Sequence, residues 1–270
     1  MKLAFSTLGC PDWPLDTVIA RARDYGFDGV DFRGCAGQLD IWNLPEFSTR
    51  IAETAAKLKH ARLAVPAISS SARLLTDTDE DRAKSMDNLA ASARVAHELG
   101  ATFVRVFGGH NGARPYPDAL NEAAAALDAM ARNAAHHGVT VLLETHDDWI
   151  ASDKVRELLD TAAEPNVGVI WDINHPWAAA GESPEQTWAN LAPCVRYIHV
   201  KDTCTRPDGK RGPCLLGQGE LPLPEILALL RRERYAGWYT LEWEKKWHPE
   251  IPDPEIAFPH YINFMRNFAQ

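Results

Sequence analysis

Two hydrophobic periods alternate along the whole chain, and that alternation restricts the fold more than any other feature. Eight apolar runs of strand length lie near residues 3–8, 28–33, 63–69, 102–108, 139–145, 167–173, 195–201 and 238–243. Between and after them, stretches of helical period lie near 15–25, 47–60, 80–99, 118–137, 152–162, 184–191, 223–234 and 254–268. A strand followed each time by a helix favours parallel pairing, because the helix carries the chain back to the start of the next strand. Eight such units in 270 residues match a closed barrel better than a doubly wound sheet. The expectation is therefore a single (β/α)8 TIM barrel of class α/β, one catalytic domain over residues 1–270, with no Pro/Gly/Ser-rich linker dividing it.

Local signals agree with these boundaries. Gly26, Gly100 and Gly138 stand where helices should stop, since glycine tolerates the left-handed conformation of a C-terminal cap. Asp16 is placed to cap the first helix. The alanine-rich NEAAAALDAMARNAAHH segment favours helix by intrinsic propensity. A hydrophobic content of 46% supports a substantial core, and no apolar run approaches the roughly 20 residues that span a bilayer. The start of the chain breaks too soon at Gly9-Cys10-Pro11 for a signal peptide. The net charge of −9 disfavours general attraction to nucleic acid or anionic membrane. Five cysteines without C-x-x-C spacing read as free thiols in a reducing, cytoplasmic setting.

Four strand patterns end on a metal-binding residue type: VLLETH on Glu144, VGVIWDINH on Asp172, VRYIHVKD on His199 and WYTLEWE on Glu242. In a parallel barrel the C-terminal strand ends converge on one mouth. Because side chains alternate, Leu142, Ile170, Tyr197 and Thr240 are expected to face inward one layer below. Four such groups buried together would need a counter-ion. Three carboxylates and one imidazole suit a hard or borderline dication, Mn²⁺ or Mg²⁺, better than a thiolate-seeking structural Zn²⁺. Around this set, His175 follows Asp172 in a turn near the mouth, and Lys201 shares a strand face with His199. His146 follows Glu144 in a polar loop, as a candidate substrate contact or an exposed residue. Arg105, inside a strand, is expected to meet a buried carboxylate. Trp13, Trp42, Trp149 and Trp177 fall in or beside loops, where flat rings suit the apolar faces of sugars. The long segment 202–221 carries Arg206, Lys210 and Arg211 and reads either as a wall or lid over the site or as a surface loop. Its Gly217-Gln218-Gly219 reads as a plain turn.

At LLETH, WDINH, YIHVKD and TLEWE the chain resembles the xylose-isomerase-like TIM-barrel superfamily, in its sugar phosphate isomerase/epimerase branch. The resemblance runs from LAFSTLG through GFDGVDFRG to the last helix. It implies one divalent metal ion, Mn²⁺ first and Mg²⁺ or Co²⁺ next, held by Glu144, Asp172, His199 and Glu242. It implies a substrate contact at His175. Ketose 3-epimerases of this family also carry an acidic residue six positions after the first glutamate, where this chain has Ile150. Their substrate arginine lies six after the metal histidine, at Thr205 here, so Arg206 is the nearest counterpart.

The implied activity is a metal-dependent isomerase or epimerase of a keto-sugar or related polyol, in carbohydrate metabolism. Glu144 and Glu242 would remove and return the proton α to a carbonyl through a metal-stabilised enediolate, with Lys201, His175, His146 and Arg206 as substrate contacts. A lyase acting on a keto-sugar, inosose or dehydroshikimate-like substrate is the alternative, and a DNA-repair endonuclease a remote one. The expected partner is a small sugar or polyol, not nucleic acid or membrane, with self-association into a homo-oligomer left open.

Overall fold

The computed structural model describes residues 1–206 and 208–269. Pro207, inside the long loop read from sequence, and Gln270 lie outside the described residues. Eight parallel strands form one sheet in the order β2-β1-β10-β7-β6-β5-β4-β3, a nearly closed (β/α)8 TIM barrel. They are β1 (Lys2–Ser6), β2 (Gly29–Asp31), β3 (Ala67–Arg73), β4 (Phe103–Phe107), β5 (Thr140–Glu144), β6 (Val167–Asp172), β7 (Val195–Val200) and β10 (Trp238–Leu241). Among the described residues no helix is long and apolar enough to cross a membrane.

The chain divides into two compact units, Met1–Pro66 with Tyr197–Gln270, and Ala67–Arg196. In the first, α1 (Leu15–Tyr25) and α2 (Ile51–Ala61) follow β1 and β2. Gly26 ends α1 at φ +83° as a left-handed cap, but α2 ends on Arg62 in the same conformation, with no glycine to announce it. Asp16 does not cap α1. The helix starts one residue before it, behind Pro14, and Asp16 instead pairs with Lys57 at 2.6 Å.

The second unit carries α3 (Asp79–Leu99), capped by Thr78 and Gly100, and α4 (Tyr116–Ala135), α5 (Ser152–Thr161), α6 (His175–Ala180) and α7 (Pro184–Leu191). Here the expected third strand, 63–69, is displaced. The strand runs through the serine-rich AISSSAR after Pro66, with a register shift between Ser69 and Arg73. Proline has no N–H for the ladder. Ser70 finds a partner for its hydroxyl within the sheet, Oγ donating to the Arg105 carbonyl at 2.5 Å, and the Ser71 N–H donates to Asn88 Oδ1.

The long loop is more ordered than its composition suggests. Its first half is an antiparallel hairpin of β8 (Asp202–Thr205) and β9 (Arg211–Cys214). Its second half is tied to one buried carboxylate, Asp202. Oδ1 accepts from Thr203 N–H (2.9 Å) and Leu221 N–H (3.3 Å), and Oδ2 from Gly217 and Gly219 N–H (2.9 Å each). The Gly217–Gly219 turn thus presents its amides to the protein's own carboxylate. Burial pushes the Asp202 carboxyl up despite these four bonds. After the loop come α8 (Leu223–Arg232) and, beyond β10, α9 (Pro254–Ala269). Leu142, Ile170, Tyr197 and Thr240 are all fully buried, one layer below the candidate ligands.

Candidate metal centre

In the unit 67–196, Glu144 ends β5 and is fully buried. Its Oε2 lies 2.8 Å from Nη1 of Arg105, whose side chain is 2% exposed. The guanidinium also lies over the Phe107 ring at 3.7 Å. The register explains the pair: Arg105 stands opposite Leu142, and Glu144 is two residues on along the same strand face. Asp172 ends β6. Its N–H donates to Thr145 Oγ1, and its Oδ1 accepts from the N–H groups of Asn174 and His175 as α6 begins. His175 places Nδ1 2.8 Å from the Thr145 carbonyl, which can only accept. Nδ1 therefore carries a proton, and Nε2 is the acceptor in the neutral ring.

His146 packs its ring on Phe107 (4.6 Å) and edge-on to His175 (4.8 Å). Its Nδ1 is 2.7 Å from Asp147 Oδ1. Burial would raise the Asp147 carboxyl, but the bond and charge of His146, the charge of His110 and the Gly109 N–H outweigh it and hold the group below its usual range. Trp149 is buried against Gly108, where a Cβ would collide with the indole. Trp13, Trp42 and Trp177 are half-buried, whereas Trp247 is 51% exposed.

In the unit 1–66 with 197–270, His199 of β7 is buried with Nδ1 3.4 Å from Glu242 Oε1 and Nε2 3.7 Å from Asp31 Oδ2. Tyr197 donates its hydroxyl to that same Asp31 oxygen at 3.1 Å. Burial, then the Asp31 charge, pushes the phenol well above its usual range. Lys201, 3% exposed, bridges Glu242 Oε2 (2.6 Å) and Glu244 Oε1 (2.7 Å). Arg206 turns instead to Glu250, at 2.6 Å. Lys245 donates to the carbonyls of Pro249 and Ile251. All five cysteines are free, Cys204 and Cys214 among them.

One ligand atom from each of Glu144, Asp172, His199 and Glu242 lies within 4.8 Å of the others, and all four residues are buried. Among the described residues this is the one such group of three or more. The donor set fits a divalent cation. Three carboxylates gather there, and Arg105 and Lys201 pair with two of them, so a dication would supply charge that these two side chains do not. The oxygen-rich composition suits Mg²⁺, Mn²⁺ or a borderline ion.

Of the residues proposed from sequence as substrate contacts, the structure sets His146 beside His175, and Lys201 on Glu242. Arg206 pairs with Glu250 instead. Asp31 also ends a strand, in GFDGVDF, as a buried acid, and the structure sets it 3.7 Å from His199. Asp202 was read only as the start of a loop.

The fold is a TIM barrel with buried acids and an imidazole at its strand ends, a group that could hold a metal ion. The family description "Xylose isomerase-like TIM barrel" matches residues 19–268, and the chain belongs to that family. A probable endonuclease 4 of Halobacterium salinarum is 34% identical over 198 residues, 64% of this chain and 70% of that protein. Solved structures share the fold at lower identity. The probable 3-DHS dehydratase AsbF of Bacillus anthracis has a TM-score of 0.80 at 20% identity, with 99% of each chain covered. The 3-keto-D-glucoside 4-epimerase YcjR of E. coli has a TM-score of 0.79 at 17% identity, again with 99% of each covered. An IOLI protein with a bound zinc atom has a TM-score of 0.79 at 16% identity, with 100% of this chain and 96% of that chain covered.

Proposed function

We propose that this protein is a divalent-metal-dependent isomerase or epimerase of a keto-sugar or related polyol, with Mn²⁺ as the working ion. The observation that carries the reading is the pair of buried glutamates, Glu144 and Glu242, in one cluster with Asp172 and His199. Glu144, Asp172, His199 and Glu242 would hold the ion, which supplies Lewis acidity and a template for a substrate carbonyl and its neighbouring hydroxyl. Glu144 and Glu242 are the proton-transfer pair: one carboxylate takes the proton α to the carbonyl and the other returns a proton. Arg105 pairs with Glu144 at 2.8 Å and Lys201 with Glu242 at 2.6 Å, so each glutamate has a cation at hand in a buried setting. His175, with its Nδ1 proton committed to Thr145, offers Nε2 to a substrate hydroxyl. His146 lies edge-on to it as a second substrate contact.

The test is a panel of ketoses, inososes and dehydroshikimate in deuterated water with added Mn²⁺. Deuterium at the carbon next to the carbonyl is expected. Glu144→Gln and Glu242→Gln should each lose more than roughly 10²-fold in exchange rate. Exchange at the wild-type rate in both variants would remove the glutamates from the mechanism.

A lyase outcome is supported by the fold shared with the 3-DHS dehydratase, and it is read from the same panel as a new conjugated carbonyl absorbing in the ultraviolet. The relationship to a probable endonuclease 4 favours a third reading, action on damaged DNA. The net charge of −9 and a ligand group with a single imidazole count against it. Metal-dependent nicking of a damaged duplex would establish it.

A further inference from the structure

Lys201 occupies an unusual place for an ammonium beside a cation site. It follows His199 by two residues on one strand face, and Glu244 follows Glu242 in the same way. The ladder pairs Thr240 with His199 and Leu241 with Val200, and continues with the Glu242 N–H donating to the Val200 carbonyl at 3.0 Å. Lys201 therefore falls opposite Glu242 on the neighbouring strand. Its Nζ takes Glu242 Oε2 at 2.6 Å, while Glu242 Oε1 turns to His199 Nδ1 at 3.4 Å. The ammonium is held from its other side by Glu244 Oε1 at 2.7 Å. Glu244 in turn lies 3.5 Å from His248 Nε2.

We propose that Lys201 is a positioning residue that confines Glu242 to one metal-facing oxygen, Oε1. The inference rests on the divalent-metal reading of the cluster. A carboxylate beside a dication can chelate with both oxygens. Here Oε2 accepts a charge-assisted hydrogen bond on one lone pair, which leaves its other lone pair for a proton, and the ammonium repels a second cation from that side. Glu244 fixes the ammonium so that it does not follow Glu242 when the carboxylate moves. The result is a site with fewer protein donors, which keeps positions open for substrate oxygens as catalytic metal sites do.

The experiment titrates metal-free protein with Mn²⁺ by calorimetry and with Co²⁺ by visible absorption, whose d–d bands weaken as coordination number rises. Lys201→Met releases Glu242 Oε2 and deletes a positive charge beside the ion. It is expected to weaken the Co²⁺ bands and to tighten Mn²⁺ binding on the order of tenfold. Lys201→Arg, which keeps charge and donor, should restore the wild-type spectrum. A role in folding alone predicts the opposite affinity change, because a damaged site binds more weakly. Wild-type bands together with weaker Mn²⁺ binding in Lys201→Met would overturn the proposal. Should that variant not fold, Lys201→Gln deletes the same charge beside the ion, and tighter Mn²⁺ binding is again expected, with weaker binding refuting it. Wild-type protein that binds neither ion would instead remove the metal reading itself.

Discussion

Arg105→Met isolates the electrostatic debt of the barrel interior. Arg105 is 2% exposed and Glu144 not at all, and their 2.8 Å contact joins two buried charges. Methionine fills much of the same space, so the cavity is small and the main loss is electrostatic. Deleting one partner of a buried pair leaves the other uncompensated, at about 3–5 kcal/mol. The guanidinium's place over Phe107, at 3.7 Å, is lost as well. Its worth is up to about 2 kcal/mol when desolvated. In chelated protein the variant should therefore be at least about 4 kcal/mol less stable. At about 2–4 °C per kcal/mol for a chain of this size, Tm should fall by roughly 10 °C or more. A bound dication would place new positive charge beside Glu144, so the gap between wild type and variant should narrow in saturating Mn²⁺. Urea unfolding followed by far-UV circular dichroism, with chelator and with Mn²⁺, measures both gaps. A chelated gap below about 1 kcal/mol, or one that Mn²⁺ leaves unchanged, would refute the reasoning.

Two other outcomes follow from the loops around the site. The Asn111 N–H, then His110, hold the Asp148 carboxyl below its usual range. A depressed folded-state value means stability that is present above the unfolded pKa of about 3.9 and lost as pH falls through the folded value. Asp148→Asn should thus be less stable than wild type near neutrality, with the difference shrinking in urea titrations taken to progressively lower pH below about 4. Arg206→Ala should raise KM more than it lowers kcat if the arginine leaves Glu250 to meet substrate, a contact made in ground and transition states alike. Unchanged kinetics, with substrate giving the loop no protection from protease, would assign Arg206 to its surface pair with Glu250.

Much of the fold was legible because periodicity is local. Seven of the eight expected strands overlie observed ones within a few residues, and the exception is instructive. The apolar LAVP attracted the third strand, but Pro66 lacks a donor, and the serines beyond it stand in the sheet, where Ser70 and Ser71 meet partners supplied by other segments. The gathering of the four candidate ligands was legible for a related reason. Strand alternation and the common direction of parallel strands bring Glu144, Asp172, His199 and Glu242 to one end without any compact motif.

The identity of the partners was not legible. Asp31 stands near His199, and Tyr197 donates to it, across 166 residues of sequence. Asp202 draws together backbone donors as far away as Leu221, and no composition rule says that a loop's glycines will face a carboxylate and not a phosphate.

By itself, then, the order of residues determined the alternation of strands and helices, the parallel sheet that alternation requires, and the four strand ends where metal-binding groups converge. Tertiary structure decided which cation meets which acid: Arg105 on Glu144, Lys201 between Glu242 and Glu244, and Arg206 away on Glu250. Hydrophobic period is set by neighbours along the chain and survives small shifts of register. A hydrogen bond between distant side chains depends on register to within a single residue, and register is set only when the strands pair.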